Sequence, residues 1–235
     1  MTCYSNKKMI KHKYASLVLG LFTLAGLLYN SWPLGYLLNS QTAHSGLASD
    51  LEKVGQPYYW VFRGGDILTG VCLGIAGICM LQKVALATSL RGLWYSISIG
   101  AVVFGFFTAV ASLVPAHCNI GTHLVCNSQS GVNIGLDAIF SAIAALGLCL
   151  SLIGSIIFSI RAQLSLNVRI FAQLSAAFWS ISGVLFVFYA VSSGYAHQAQ
   201  LVQQVFLFLT GVVLVAIGCT TSAFIVLKTL SAEKR

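Results

Sequence analysis

Apolar residues run on along most of this chain with little regular polar interruption. Six stretches stay apolar long enough to cross a bilayer as helix, which takes roughly 20 residues each. They fall near Tyr14–Leu37, Tyr59–Leu81, Gly92–Val114, Ile134–Ile160, Ile170–Val191 and Leu201–Leu227. The second reaches spanning length only when Tyr59–Gly65 joins the run that starts at Asp66. The links at 82–91 and 161–169 are short, those at 38–58 and 115–133 are longer, and 192–200 is short again. No linker, charge block or low-complexity tract interrupts the series, so a single domain over residues 1–235 is predicted. The predicted fold class is all-α, an integral membrane bundle of six transmembrane helices.

Composition agrees with lipid as the main solvent. The chain is 57% hydrophobic and 8% charged, whereas a soluble domain carries about 25% charged residues. The net charge of +8 matters through its distribution. Lys7, Lys8, Lys11 and Lys13 precede the first span. Lys83, Arg91, Arg161 and Arg169 bracket the second-to-third and fourth-to-fifth links, and Lys228, Lys234 and Arg235 follow the last span. Only Lys53 and Arg63 fall on the other side. This positive-inside pattern predicts cytoplasmic termini and a multi-pass protein of the cell inner membrane. It gives no reason to expect a nucleic-acid partner; anionic lipid headgroups are the natural counterpart of the basic face. Lysines followed by an apolar run, with no small-residue cleavage site after Leu28, predict an uncleaved signal anchor.

Few charges enter the spans, and those that do carry the candidate chemistry. Arg63 and Asp66 share a helix face at i and i+3, near the outer interface and beside the aromatic belt residues Tyr58, Tyr59 and Trp60. Asn133, Asp137 and Ser141 recur at i, i+4 and i+8, a polar stripe that should face the bundle interior. Asp66 and Asp137 thus start from the same side, with Arg63 expected between them as a structural clasp or as part of a polar pocket. Asp50, Glu52 and Lys53 read as a solvated loop cluster. The second span also holds Gly70 and Gly74, whose spacing allows close helix packing within the chain or a homodimer seam.

Cys118 and Cys126 share an outer loop, where oxidising conditions favour a disulfide. His117 and His123 beside them raise zinc as the competing use, but the usual CxxC knuckle is missing, so no metal is expected. Cys72, Cys79, Cys149 and Cys219 lie in spans and read as small packing residues. No cofactor loop or nucleophile-elbow motif occurs, so no cofactor is expected and no catalytic residue is assigned.

The segment SGLASDLEKVGQPYYWVFRGGDILTG resembles the signature of a bacterial six-pass membrane family catalogued as domain of unknown function 998. The matching residues are Ser49, Asp50 and Leu51, then Gln56 and Pro57, Trp60, Val61 to Arg63, Asp66 and Gly70. VPAHCNIGTHLVC is similar to that family's outer loop, and LVQQVFLFLTGVVLVAIG to its last span. Relatives carry two histidines and a serine at the start of span four. Ser141 matches the serine, while Asn133 and Asp137 occupy the histidine positions. The resemblance implies a fold and a topology and no particular reaction.

The function expected is binding of membrane lipid or an amphipathic small molecule at an outer polar site built from Arg63, Asp66, Asp137, Ser141, Ser49 and Asn133. Two alternatives stand beside it. In a membrane-embedded lipid hydrolase or transferase, Asp66 or Asp137 would be the base, Ser141 or Ser49 the nucleophile or binding group, and Arg63 the anchor of an anionic headgroup. A small transporter would need a polar path through the spans.

Overall fold

A computed structural model describes residues 2–40, 48–83, 88–114, 128–191 and 196–231. Six long helices carry the architecture: α1 (Thr2–Tyr29), α2 (Tyr59–Lys83), α3 (Thr88–Leu113), α4 (Ser128–Arg161), α5 (Leu166–Val191) and α6 (Ala196–Ser231). No strand occurs among the described residues. Helix is what an apolar solvent demands, because each backbone N–H and C=O must find its partner within the segment. The six stretches long and apolar enough to cross a membrane are Lys13–Leu38, Tyr59–Leu81, Leu90–Leu113, Gly135–Arg161, Leu166–Tyr189 and Gln200–Lys228. The chain is a multi-pass membrane protein, and each span lies within a few residues of its expected position.

The first span is broken. α1 stops at Tyr29, and a 3-10 turn (Trp32–Leu34) and a one-turn helix (Gly35–Leu38) complete the stretch. Pro33 supplies the reason, since it has no N–H to bond the Tyr29 carbonyl and its ring crowds that carbonyl. Asn30 covers part of the helix end by donating from Nδ2 to the Gly26 carbonyl at 2.9 Å.

The helices form an open ring in the order α4, α3, α2, α1, α6, α5, each packed extensively on the next. The closing pair differs. Residues 162–165 tie α4 to α5 at one end, yet the two helices pack only sparsely, and α4 meets α6 sparsely as well. Glycine pairs draw the tight neighbours together. A Cβ on Gly26 of α1 would come 2.8 Å from the Gly211 carbonyl oxygen of α6. One on Gly105 of α3 would come 2.7 Å from that of Gly70 in α2, and one on Gly147 of α4 would come 2.9 Å from that of Gly100 in α3. Without a hydrophobic drive between helices in lipid, such close backbone approach maximises dispersion. Gly70 is therefore packed within the chain, whereas a Cβ on Gly74 would meet nothing within 4 Å.

Side-chain hydrogen bonds add to this at the same seams. Thr69 Oγ1 donates to the Gly65 carbonyl (2.9 Å) with the Ala25 carbonyl of α1 at 3.2 Å, and Ser151 donates to the Ile97 carbonyl of α3 at 2.7 Å. Trp94, 1% exposed, donates from Nε1 to the Met80 carbonyl at 2.9 Å.

Candidate functional site

The end of the bundle where α1 stops and α2 begins is roofed by a short 3-10 helix, Ala48–Glu52. Leu51 pins it. That side chain is 1% exposed and packs on Phe62, with Trp32 and Leu38 around the pair. Gln203 of α6 holds the same segment from the other side. Its Oε1 accepts the Ala48 N–H at 2.7 Å, and its Nε2 reaches Ser49 Oγ at 3.5 Å. With Leu51 fixed, the neighbouring Glu52 side chain lines the space below.

That space is a cavity of about 270 Å³ walled by all six helices and the 3-10 segment. Its lining combines the charged Glu52, Lys53, Arg63, Asp66 and Asp137 with the apolar Phe104, Leu148, Trp179, Phe186 and Phe206. The aromatic part of the wall is ordered: Trp179 and Phe206 stack at 5.4 Å, and Trp179 Nε1 donates to Thr210 Oγ1 at 2.9 Å. The chain has five acidic residues in all. Three of them line this cavity, and a fourth, Asp50, is paired with the wall residue Lys53.

The expected clasp of Arg63 between Asp66 and Asp137 is corrected. Arg63 donates from Nε to the Glu52 carbonyl at 2.8 Å and from Nη2 to the Val114 carbonyl at 2.9 Å, while Tyr59 lies against its guanidinium at 5.6 Å. The Glu52 carbonyl ends the 3-10 helix and that of Val114 follows the last residue of α3, beyond the helical hydrogen-bond ladder. A planar group with five donors can serve two such ends at once, which draws it to the rim. Asp66 meets Glu52 instead: the two carboxyls lie in hydrogen-bonding reach, with Ser112 beside Asp66. Ionised carboxylates only accept, so a hydrogen bond between two of them needs a proton on one.

The solvated-loop reading of Asp50, Glu52 and Lys53 is also corrected. Asp50 is 2% exposed and Lys53 6% exposed, and the two form a buried ion pair. Each charge there depends on the other, because an unpaired buried charge is costly. Glu52 is half-buried, and the surface it keeps opens into the cavity. Burial, helped by the charge of Asp137, pushes its carboxyl up to about 7 against the opposing pull of Arg63 and the Asp66 contact.

Of the expected site residues, Arg63, Asp66, Asp137, Ser141 and Ser49 all line the cavity. Asp137 and Ser141 fall on one face of α4 with Ala144, Ala145 and Leu148, and Lys53 and Arg63 are the cationic neighbours of Asp137. Asn133 precedes Asp137 by one turn of α4; its side chain lies outside the described residues. Cys118, Cys126, His44, His117 and His123 lie outside them too, as does the side chain of His197. Cys72, Cys79, Cys149 and Cys219 are free thiols, and no cluster of metal-ligating side chains occurs among the described residues. Sequence reasoning missed Glu52, Lys53, Gln203 and the aromatic part of the wall. One signal for Glu52 was available: in a chain with five acidic residues, two in a single short loop stand out.

Comparison with protein-family models, curated proteins and solved structures gives no match. The site's own chemistry is amphipathic. Four carboxyl groups stand against the two cations Lys53 and Arg63; Lys53 is paired with Asp50, and the carbonyl partners of Arg63 are neutral, which leaves one guanidinium on the wall with Glu52, Asp66 and Asp137.

Proposed function

We propose that this chain binds an amphiphile whose polar head carries a protonated amine, with the head among Glu52, Asp66 and Asp137 and the apolar part against Trp179 and Phe206. One observation carries the reading: three carboxyl groups line a cavity whose ammonium is paired with a fourth carboxylate, Asp50, so that the guanidinium of Arg63 is, among the described residues, the one remaining cation on that wall, which also carries aromatic side chains. A head without a positive charge would leave the excess of carboxyl groups over Arg63 unmatched. In this reading the cavity faces the outside of the cell inner membrane and the basic termini face the cytoplasm, as the distribution of lysine and arginine favours. The six-pass family resembled by the 45–70 segment fits the same topology.

Calorimetry with purified protein tests it. Hexylamine should bind at least tenfold more tightly than hexanol, which matches its chain and lacks its charge. Asp137→Asn should weaken hexylamine by about tenfold, the worth of roughly 1.4 kcal/mol, and leave hexanol unchanged. Equal binding of the two compounds would refute the reading.

A further inference from the structure

The ring of helices is incomplete at one place, and the cavity lies behind it. α4 and α5 are consecutive in the chain and tied by 162–165, yet they pack sparsely, while every other neighbouring pair in the ring packs along its length. Both helices still line the cavity, α4 through Asp137, Ser141 and Leu148, and α5 through Trp179 and Phe186. Ser141 marks the opening. It is a wall residue of the cavity and is at the same time exposed on the molecular surface at the depth of the span.

Size points the same way. Pockets that enclose a drug-sized ligand run from about 300 to 1,000 Å³, and this cavity holds about 270 Å³. It accommodates a headgroup and the start of a chain. A bilayer lipid bound here must leave the rest of its chains outside the protein, and the α4–α5 gap is the break in the wall that faces lipid.

Resting on the binding function proposed above, we infer that the cavity takes its ligand sideways from the bilayer through the gap between α4 and α5, with Ser141 at the doorway. The ligand class is then a membrane-resident lipid with an amine-bearing head, whose chains stay in the leaflet nearest the cavity. A water-borne amphiphile would need no such gap.

Two probes separate this from the binding proposal itself. Phosphatidylethanolamine spin-labelled near the top of one chain reports lipid held at the protein in nanodiscs, and hexylamine reports the headgroup site alone. Wild-type protein should immobilise the labelled lipid in excess of a phosphatidylglycerol control. Ala138→Phe adds bulk on an exposed flank of α4 outside the cavity lining, one turn before Ser141, and should remove at least half of that excess while hexylamine binds within twofold of wild type. Ala142→Phe, one turn further along the same exposed flank, serves if Ala138→Phe does not fold. Undiminished lipid immobilisation in a folded doorway variant overturns the side opening and leaves amine binding intact. Hexylamine binding with no immobilised excess in wild type does the same. Loss of both probes in the variants overturns the assignment of this flank of α4 to the doorway. Failure of wild type to bind either probe refutes the binding function, and the inference with it.

Discussion

At the scale of single residues, protons and unpaired groups decide the behaviour of the site. Glu52 holds its proton up to about 7 in the folded protein, well above the range of an unfolded glutamate. Its protonated form therefore supports the fold: that contribution is complete below the usual carboxylate range and is lost as pH rises through about 7. Ammonium binding runs in the opposite sense, because a deprotonated Glu52 attracts it. Hexylamine affinity should rise several-fold between pH 5.5 and 8, while thermal stability without ligand should fall. Glu52→Gln should flatten both profiles, and calorimetry with melting curves across that range checks it. Ser155 gives a simpler case. Its hydroxyl is buried without a hydrogen-bond partner, so Ser155→Ala removes an unsatisfied group and should leave stability unchanged or raise it by up to about 1 kcal/mol. Loss of stability on that substitution would show that the hydroxyl has a partner.

At the scale of elements, helix ends and glycine contacts set the geometry. α4 closes with Gln163 in the left-handed region (φ 52°), where the Leu164 N–H donates to the Ser159 carbonyl at 3.1 Å. Glycine is the residue suited to that backbone, so Gln163→Gly should stabilise the α4–α5 turn by about 0.5–1 kcal/mol in a denaturation assay. Gly105→Val should destabilise by about 1–3 kcal/mol or more, because the added atoms meet the α2 backbone. Gly74→Ala, with open space around it, should be neutral. The six helices were legible from run length alone, since lipid leaves no alternative to helix for a stretch of that size. The break after Tyr29 was legible only in the proline that causes it. The 3-10 helix at 48–52 was not legible, because its placement comes from Leu51 on Phe62 and from Gln203, contacts that join distant parts of the chain. The same distance hid Glu52 as the partner of Asp66. Arg63 and Asp66 are close in sequence, but local spacing says nothing of the two carbonyls that claim the guanidinium.

At the scale of the whole molecule, an acid-rich chamber lies at one end of an open ring of helices, and Lys83, Arg91, Arg161, Arg169 and Lys228 lie near the helix ends away from it. If the basic end is cytoplasmic, a reporter fused after Arg235 that works only inside the cell should be active, and one that works only outside should be silent. The reverse result would invert the topology and put the chamber on the inner face. The central claim is that this chamber selects an amine-bearing membrane lipid. Native mass spectrometry of the protein released from nanodiscs containing equal amounts of phosphatidylethanolamine and phosphatidylglycerol tests it most directly. The account predicts a retained phosphatidylethanolamine that disappears in the Glu52→Gln, Asp137→Asn double variant. Retained phosphatidylglycerol, or equal retention of both lipids unaffected by the substitutions, would contradict it.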